Sequence, residues 1–181
     1  MGAFYQPRLV LTDPQLLTTL PARQYRSGLY EVIKYAVIGD AALFRFLERR
    51  MKPLLRQHPR TLDWVLERCI RAKAEVIRVD ERESGLRQIL NFGHTVGHAL
   101  EAATNYRYFL HGEAIAWGML AAAEIGVGMR RFSDADCARL QRLISQVGKL
   151  RHLPPLSPMR VMHLLRSDKK AVGGKVRFVL P

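Results

Sequence analysis

The chain has 181 residues, of which 48% are hydrophobic and 25% charged, so it can form one domain with a real core. Its most apolar run, from Ala114 to Ala123, is too short to cross a membrane and is typical of a buried helix. The 29 Lys and Arg against 16 Asp and Glu give a net charge of +13, which favours polyanionic partners. However, these cations are scattered along the sequence, which is typical of a solvated surface and not of a nucleic-acid-binding stripe.

The first third of the chain changes from a β pattern to a helical one. A short apolar run from Arg8 to Thr12 predicts a β-strand that ends at the Asp13-Pro14 turn. From Gly28 the periodicity is helical as far as Gly39, and a second helix is predicted from Ala41 to Gln57. Pro53 is expected to end or bend this second helix.

The middle of the chain is predicted to be two helices separated by a polar loop. Apolar residues at helical spacing, Ile70 among them, predict a helix from Thr61 to Val79 that packs on a core. The loop from Asp80 to Gly85 then leads to a helix through His94 and Glu101. Asn105 is placed to cap the end of that helix.

The last third of the chain continues the helical pattern. One helix is predicted from His111 to about Met129, a second from the Ser133/Asp136 capping signal to Gly148, and a third from Ser157-Pro158. The alternation from Lys175 to Leu180 predicts a strand. Since the chain ends inside this signal, we expect a piece of a longer protein.

The fold class that follows is mainly α: one helical domain over residues 1–181, with short β-strands at its edges. No G-x-G-x-x-G motif follows a strand and there is no P-loop, so a nucleotide site would lie mostly elsewhere. Cys69 and Cys137 are far apart and lie in no metal-binding motif, which predicts free thiols. With no signal-peptide pattern at the start, we expect a cytoplasmic protein.

The richest chemistry lies in the segment N-F-G-H-T-V-G-H-A-L-E at residues 91–101. His94 and His98 are four residues apart, so they project from one helix face at the spacing of zinc-binding histidines. The residues between them are Thr-Val-Gly, so the metalloprotease general base is absent. Gly93 and Gly97 allow another backbone or a ligand to approach closely.

Two further residues could complete a metal site. His111 opens the next helix, and Glu31 lies in an otherwise apolar stretch where an unpaired carboxylate would be costly to bury. The alternative for Glu31 is a surface ion pair with Lys34, one turn later. A Glu with two His leaves a fourth tetrahedral position open for water or substrate. Spacing alone does not decide whether His98 or His111 is the second imidazole ligand.

Four stretches of the chain resemble the carboxyl-terminal domain of the 3-dehydroquinate synthase family of sugar-phosphate cyclases. They are residues 20–40 (LPARQYRSGLYEVIKYAVIGD), 73–101 (KAEVIRVDERESGLRQILNFGHTVGHALE), 110–119 (LHGEAIAWGM) and 167–181 (SDKKAVGGKVRFVLP). The resemblance implies a carbon–oxygen lyase of the shikimate pathway, which leads to chorismate and the aromatic amino acids. Such an enzyme converts 3-deoxy-D-arabino-heptulosonate 7-phosphate to 3-dehydroquinate and phosphate.

The resemblance also implies roles for individual residues. It places a zinc or cobalt ion on Glu31, His94 and His111. It implies catalytic or substrate-binding roles for Lys34, Lys73, Glu83, Arg87, Asn91, His98, Lys169 and Lys170, with Glu83 orienting the cations of this set and one of the two terminal lysines contacting substrate. Cations and directed donors suit a substrate that carries a carboxylate and a phosphate.

NAD and partner proteins are expected on the same basis. The resemblance implies that Leu16, Leu17, Thr18 and Thr19 touch NAD, whose site lies mostly in an amino-terminal α/β domain that this sequence lacks. The chain alone is therefore expected to be inactive, and family members suggest a homodimer. Competing interpretations are another cyclase or a metal-dependent polyol dehydrogenase of the same fold, and a basic nucleic-acid-binding helical domain, which would not explain the histidines. Neither a membrane nor a nucleic acid is expected as a partner.

Overall fold

The structure, a computed structural model, describes residues 6–83, 85–167 and 176–181. In these ranges it contains seven α-helices and two short 3-10 helices. The α-helices are α1 (Ala22–Gly39), α2 (Ala41–Leu55), α3 (Pro59–Val79), α4 (His94–Ala103), α5 (His111–Gly128), α6 (Asp134–Val147) and α7 (Pro158–Ser167), and the 3-10 helices are Pro14–Thr19 and Leu86–Asn91. The mainly α fold class is confirmed.

Helix α5 is the centre of the domain. It is apolar on every face, as expected of a helix that is enclosed by others, and Ala114, Ile115 and Met119 are fully buried. Helices α1, α4 and α6 pack directly against it. No helix in the described part of the chain is long and apolar enough to cross a membrane.

The ends of several helices follow the predicted signals. Ser133 caps α6 by accepting a hydrogen bond from the Asp136 backbone N–H, and Pro158 opens α7. Past the end of α4, Asn105 adopts a left-handed φ of 52°, and its N–H donates to the Ala102 carbonyl at 3.0 Å. Tyr106 N–H donates to the Glu101 carbonyl at 2.8 Å, which completes a Schellman motif.

Proline bends α2 but does not end it. The helix continues to Leu55, and its backbone leaves helical geometry at Arg50 (φ −121°, ψ 16°). The distortion lies three residues before Pro53, because the proline ring displaces the carbonyl of the preceding turn and supplies no N–H.

The two predicted strands are wrong within the described residues, which form no β-strand from 6 to 13 or from 176 to 181. Lys175 lies outside the described residues. The final segment packs instead on helices: Thr95 donates a hydrogen bond to the Arg177 carbonyl at 3.1 Å, and Val179 and Leu180 contact the core. One-sided packing against helices produces the same alternation as a half-buried strand.

Two smaller predictions have opposite outcomes. Ile70 was expected to face the core, but it is 44% exposed because α3 packs mainly through its first half. Cys69 and Cys137 are both free thiols, as expected. Burial raises the pKa of Cys69 to about 12, so this thiol stays protonated and unreactive at neutral pH.

Candidate metal centre

Close backbone packing brings the starts of α4 and α5 together with α1. A Cβ atom added at Gly118 of α5 would lie 1.8 Å from the Gly93 carbonyl oxygen, and one at Gly112 would lie 1.9 Å from the Ser27 carbonyl oxygen. Only glycine permits these approaches. The Gly112 N–H also donates to Ser27 Oγ at 3.0 Å. These contacts position His94, which follows Gly93, and His111, which precedes Gly112.

Three predicted ligands meet at this junction. Glu31 extends from α1, one turn after Ser27, while His94 and His111 are the first residues of α4 and α5. Both imidazole Nε2 atoms lie 3.8 Å from Glu31 Oε1. The spacing argument left His98 and His111 as alternatives, and the fold brings His111 to Glu31.

The Glu31 carboxylate is only half satisfied. Its Oε2 accepts a hydrogen bond from Lys34 Nζ at 2.5 Å, so the predicted Glu31–Lys34 pair does form, but Lys34 is only 4% exposed, so the pair does not lie on the surface. Its Oε1 is buried and has no hydrogen-bond partner among the described residues. A buried carboxylate oxygen without a partner is costly, and a cation between it and the two imidazoles would remove that cost.

The histidine rings are already oriented for such a cation. His94 Nδ1 lies 3.1 Å from the Phe92 carbonyl oxygen, and His111 Nδ1 lies 3.2 Å from both oxygens of Glu101. Since a carbonyl and a carboxylate only accept hydrogen bonds, each Nδ1 donates to its partner, and each Nε2 is left on the side of Glu31, where it can bind an ion once it carries no proton. Metal-binding histidines are usually held by such partners.

The ligand atoms lie near enough to share a tetrahedral ion if they draw closer together. One ligand atom from each of Glu31, His94 and His111 can be chosen so that all lie within 4.8 Å of one another. Zinc bonds of about 2.0–2.2 Å place tetrahedral ligands roughly 3.3–3.5 Å apart. A second set, His98, Glu101 and His111, also meets the same distance limit. The two sets share His111, so the choice between them depends on which nitrogen of the His111 ring carries no proton and can bind the ion.

The two imidazoles have opposite electrostatic surroundings. Burial, followed by the nearby Lys34 ammonium, lowers the pKa of His94 to about 4. The hydrogen bond from His111 to Glu101 raises the pKa of His111. His94 is therefore neutral at physiological pH, as a metal ligand must be.

The predicted catalytic and substrate-binding residues are divided between this cluster and its surroundings. Lys34 contacts Glu31, and the His98 ring centre lies 5.3 Å from that of His94. Lys73 is an exposed residue of α3. Lys169 and Lys170 lie outside the described residues.

Residues 80–83 and 85–91, called here the 80–91 segment, carry Arg87 and Asn91. Asn91 Nδ2 donates to Glu83 Oε1 at 2.9 Å, so Glu83 orients an amide, whereas we expected it to orient cations. Arg87 Nη1 donates to the Glu81 carbonyl at 2.6 Å. Asp80 Oδ2 accepts the backbone N–H groups of Gly85 and Arg87 at 2.8 and 2.9 Å. The Asp80 carboxylate and the Glu81 carbonyl thus hold the backbone and the side chain of Arg87, respectively.

The four residues predicted to contact NAD lie in the first 3-10 helix, Pro14–Thr19. Leu16 is 66% exposed, whereas Leu17 packs on the core. The hydroxyls of Thr18 and Thr19 donate to the carbonyls of Gln15 and Leu16 within the same helix. This segment therefore exposes the apolar side chain of Leu16, and both threonine hydroxyls donate their protons within the helix.

Sequence reasoning missed Asp80, Ser27 and Glu101. Glu101 carried a usable signal, because it lies seven residues after His94 and so two turns along the same face of α4. Ser27 could not be found from spacing, since its role arises from contact with a residue that is 85 positions away. Asp80 was seen only as part of a polar loop.

Comparison with known proteins gives a consistent result. Residues 28–171 match the family model described as 3-dehydroquinate synthase C-terminal. The 3-dehydroquinate synthase of a Nostoc species is 50% identical over all of this chain and 51% of its own length, and that of Koribacter versatilis is 46% identical over all of this chain and 49% of its own length. The chain thus spans about half the length of these curated relatives.

Two solved cyclases have a similar fold. A 2-epi-5-epi-valiolone synthase from Streptomyces hygroscopicus, with NAD⁺ and Zn²⁺ bound, has a TM-score of 0.73 and 30% identity, covering 84% of this chain and 43% of its own. A 2-deoxy-scyllo-inosose synthase complexed with carbaglucose-6-phosphate, NAD⁺ and Co²⁺ has a TM-score of 0.75 and 33% identity, covering 89% of this chain and 44% of its own.

Proposed function

Because the chain belongs to the family of 3-dehydroquinate synthase carboxyl-terminal domains, we propose that it is the metal- and substrate-binding half of a 3-dehydroquinate synthase. The complete enzyme would convert 3-deoxy-D-arabino-heptulosonate 7-phosphate to 3-dehydroquinate and phosphate. Curated synthases of this name are 46–50% identical to the chain, compared with 30–33% for the solved valiolone and inosose synthases. This difference supports dehydroquinate synthase over the other cyclases.

The convergence of two imidazole Nε2 atoms on the unpartnered Glu31 Oε1 carries the proposal. The donor set of one carboxylate and two imidazoles suits Zn²⁺ or Co²⁺ and leaves room for substrate oxygens. A bound divalent cation would polarise those oxygens and lower the pKa of the alcohol that is oxidised.

The surrounding side chains bind and orient the substrate in this proposal. Lys34, held against Glu31, places a buried positive charge at the edge of the cluster. Arg87 and Asn91 supply directed donors for the carboxylate and phosphate groups, and an Arg fork binds such groups in a bidentate manner. His98 lies beside both histidine ligands, where its imidazole can contact the substrate or move a proton.

An amino-terminal domain would supply most of the NAD site and cover the start of this chain. The exposed Leu16 supports an apolar contact there. We include NAD, a homodimeric assembly and a cytoplasmic location in the proposal. A related cyclase that acts on another sugar phosphate is the second candidate, since both solved structures are cyclases of this kind. A panel of sugar phosphates offered to a two-domain protein containing this chain distinguishes the two.

Metal analysis of the purified 181-residue chain tests the site directly. We expect close to one Zn²⁺ or Co²⁺ per chain, and loss of the ion in Glu31→Ala, His94→Ala and His111→Ala with helicity retained. His152→Ala, which removes an exposed imidazole outside the cluster, is the matched control and should keep the ion. A folded parent chain that binds no metal contradicts the proposal.

Phosphate release tests whether the activity requires both halves of the proposed two-domain enzyme. The chain alone should release no phosphate from substrate in the presence of NAD⁺, because it carries too little of the dinucleotide site. A two-domain protein with this chain as its second half should release phosphate and make 3-dehydroquinate. Steady-state turnover by the chain alone would refute the first expectation.

A further inference from the structure

We propose that Glu101 is a positioning residue that holds the metal-binding imidazole of His111 in place without being a ligand itself. The inference rests on the proposed metal centre of Glu31, His94 and His111. It adds a fourth residue to that centre and gives it a role that differs from direct coordination.

The contact between Glu101 and His111 is well suited to this role. Both carboxylate oxygens lie 3.2 Å from His111 Nδ1, and Glu101 is only 9% exposed. The His111 side chain is 49% exposed, so few packing contacts restrict its rotation. The carboxylate therefore fixes both the ring orientation and the position of its proton.

The proton positions argue against Glu101 as a ligand. If an ion were bound by His98, Glu101 and Nδ1 of His111, then His111 Nε2 would carry a proton. That proton would face Glu31 Oε1 at 3.8 Å, which is too long for a hydrogen bond, and Glu31 Oε1 would stay unpartnered. With the ion on Nε2, the Nδ1 proton is donated to Glu101, and Glu31 Oε1 gains the partner that it lacks.

The two histidine ligands are held by chemically different acceptors. His94 Nδ1 faces the main-chain carbonyl of Phe92, which no side-chain substitution removes. His111 alone depends on a side chain that can be replaced. A carboxylate acceptor also makes the imidazole a stronger donor to a metal than a carbonyl does, so its loss should weaken binding by about 10–100-fold.

The decisive measurement is the Zn²⁺ dissociation constant of the chain, obtained by competition with a chelator. We expect Glu101→Gln, which keeps an acceptor oxygen but loses the charge, to weaken binding toward the lower end of that range. Glu101→Ala should reach the upper end, and both should retain one ion per chain. Glu31→Gln should lose the ion.

Glu113→Gln is the matched control. Glu113 is also 9% exposed and lies in the first turn of α5, but it binds Arg23 and the Leu110 N–H and contacts no histidine of the cluster. It should retain the parental dissociation constant even if the protein is less stable. Circular dichroism of each variant verifies that the helices remain.

Two readouts separate positioning from ligation. The Co²⁺ absorption spectrum of Glu101→Gln should retain the parental band pattern, because the ligand atoms are unchanged. In the unsubstituted Zn²⁺-loaded chain, imidazole NMR should find the His111 proton on Nδ1, a test that does not depend on any variant folding.

Three results would overturn the inference. They are an unchanged dissociation constant in both Glu101 variants, complete loss of the ion in Glu101→Gln as in Glu31→Gln, and a proton on His111 Nε2 in the loaded chain. A parent chain that binds no ion would overturn the proposed function together with it, whereas parental binding with any of the three results overturns only the role of Glu101.

Discussion

The helix pair α4–α5 and the 80–91 segment both contribute to the candidate site, but they are held in different ways. The helix pair is fixed by backbone contact, with glycines at Gly93, Gly97 and Gly118 where another side chain would collide. The 80–91 segment is fixed by hydrogen bonds that the carboxylates of Asp80 and Glu83 accept. One region has almost no freedom to adjust, and the other can move when a few bonds change.

This difference matches the chemistry that each region is proposed to perform. Metal ligands must keep their relative positions within a few tenths of an ångström, and packed backbones meet that requirement. Residues that bind a flexible phosphorylated substrate gain from some freedom to close on it. Substitutions in the two regions should therefore affect different measurements.

The largest effect should come from Gly118→Ala in the helix pair. Its Cβ would lie 1.8 Å from the Gly93 carbonyl oxygen, so α4 and α5 must separate. Overpacking usually costs about 1–3 kcal/mol, and here the obstacle is backbone, so we expect roughly 3 kcal/mol or more of lost unfolding free energy. Because His94 adjoins Gly93, metal affinity should fall as well. Urea unfolding and chelator competition measure the two quantities.

The same helix provides the control for this substitution. A Cβ at Gly128 would meet no atom within 4 Å, so Gly128→Ala should be neutral or stabilise the protein by up to about 1 kcal/mol. If both alanine variants were equally stable, close backbone packing would not be what fixes the helix pair.

Asp80→Ala should produce a smaller and more local effect in the 80–91 segment. It leaves the backbone N–H groups of Gly85 and Arg87 without their acceptor, at a cost of about 1–2 kcal/mol. Amide hydrogen exchange should quicken from residue 85 to 91, while Zn²⁺ affinity stays at the parental value. Glu81→Ala, at a neighbouring exposed carboxylate, should change exchange much less. Weakened metal binding in Asp80→Ala would mean that the two regions are coupled.

The sequence predicted α4 and α5, but it predicted neither the 3-10 helix Leu86–Asn91 of the 80–91 segment nor how the two regions are held. Apolar periodicity and terminal signals such as Pro158 and Asn105 depend on neighbouring residues, and these predictions were correct. The strand predictions at both ends were wrong because alternation does not specify a partner, which can equally be a helix. The orientation of Glu83 toward Asn91 also depends on a backbone with a positive φ of 57° that the sequence did not indicate.

The metal cluster also shows that sequence spacing predicts positions within one helix but not contacts between distant residues. His94 and His98 share a helix face by spacing alone, so the sequence could indicate a metal site. The approach of His111 to Glu31 depends on contact between Gly112 and Ser27, which is a long-range property of the fold. The family resemblance supplied that choice. Spacing places Glu101 on the same helix face as His94, but its contact with His111 is again a long-range property of the fold.

The smallest expected effect concerns the ion pair that ties α3, and with it the 80–91 segment, to the core. Arg68 Nε donates to Asp40 Oδ2 at 2.7 Å, and this hydrogen bond lowers the pKa of Asp40 below its ordinary value. A carboxyl with a lowered pKa in the folded state stabilises the protein above its ordinary pKa of about 4, and this contribution is lost as the pH falls below that value. Asp40→Asn keeps an acceptor for the Leu43 N–H but removes the charge, so it should cost about 1 kcal/mol at pH 7, since Arg68 is 35% exposed. Urea unfolding at pH 7 and pH 3 should show the difference between parent and variant shrinking at the lower pH. A difference that does not depend on pH would show that the charge of Asp40 does not hold α3 on the core.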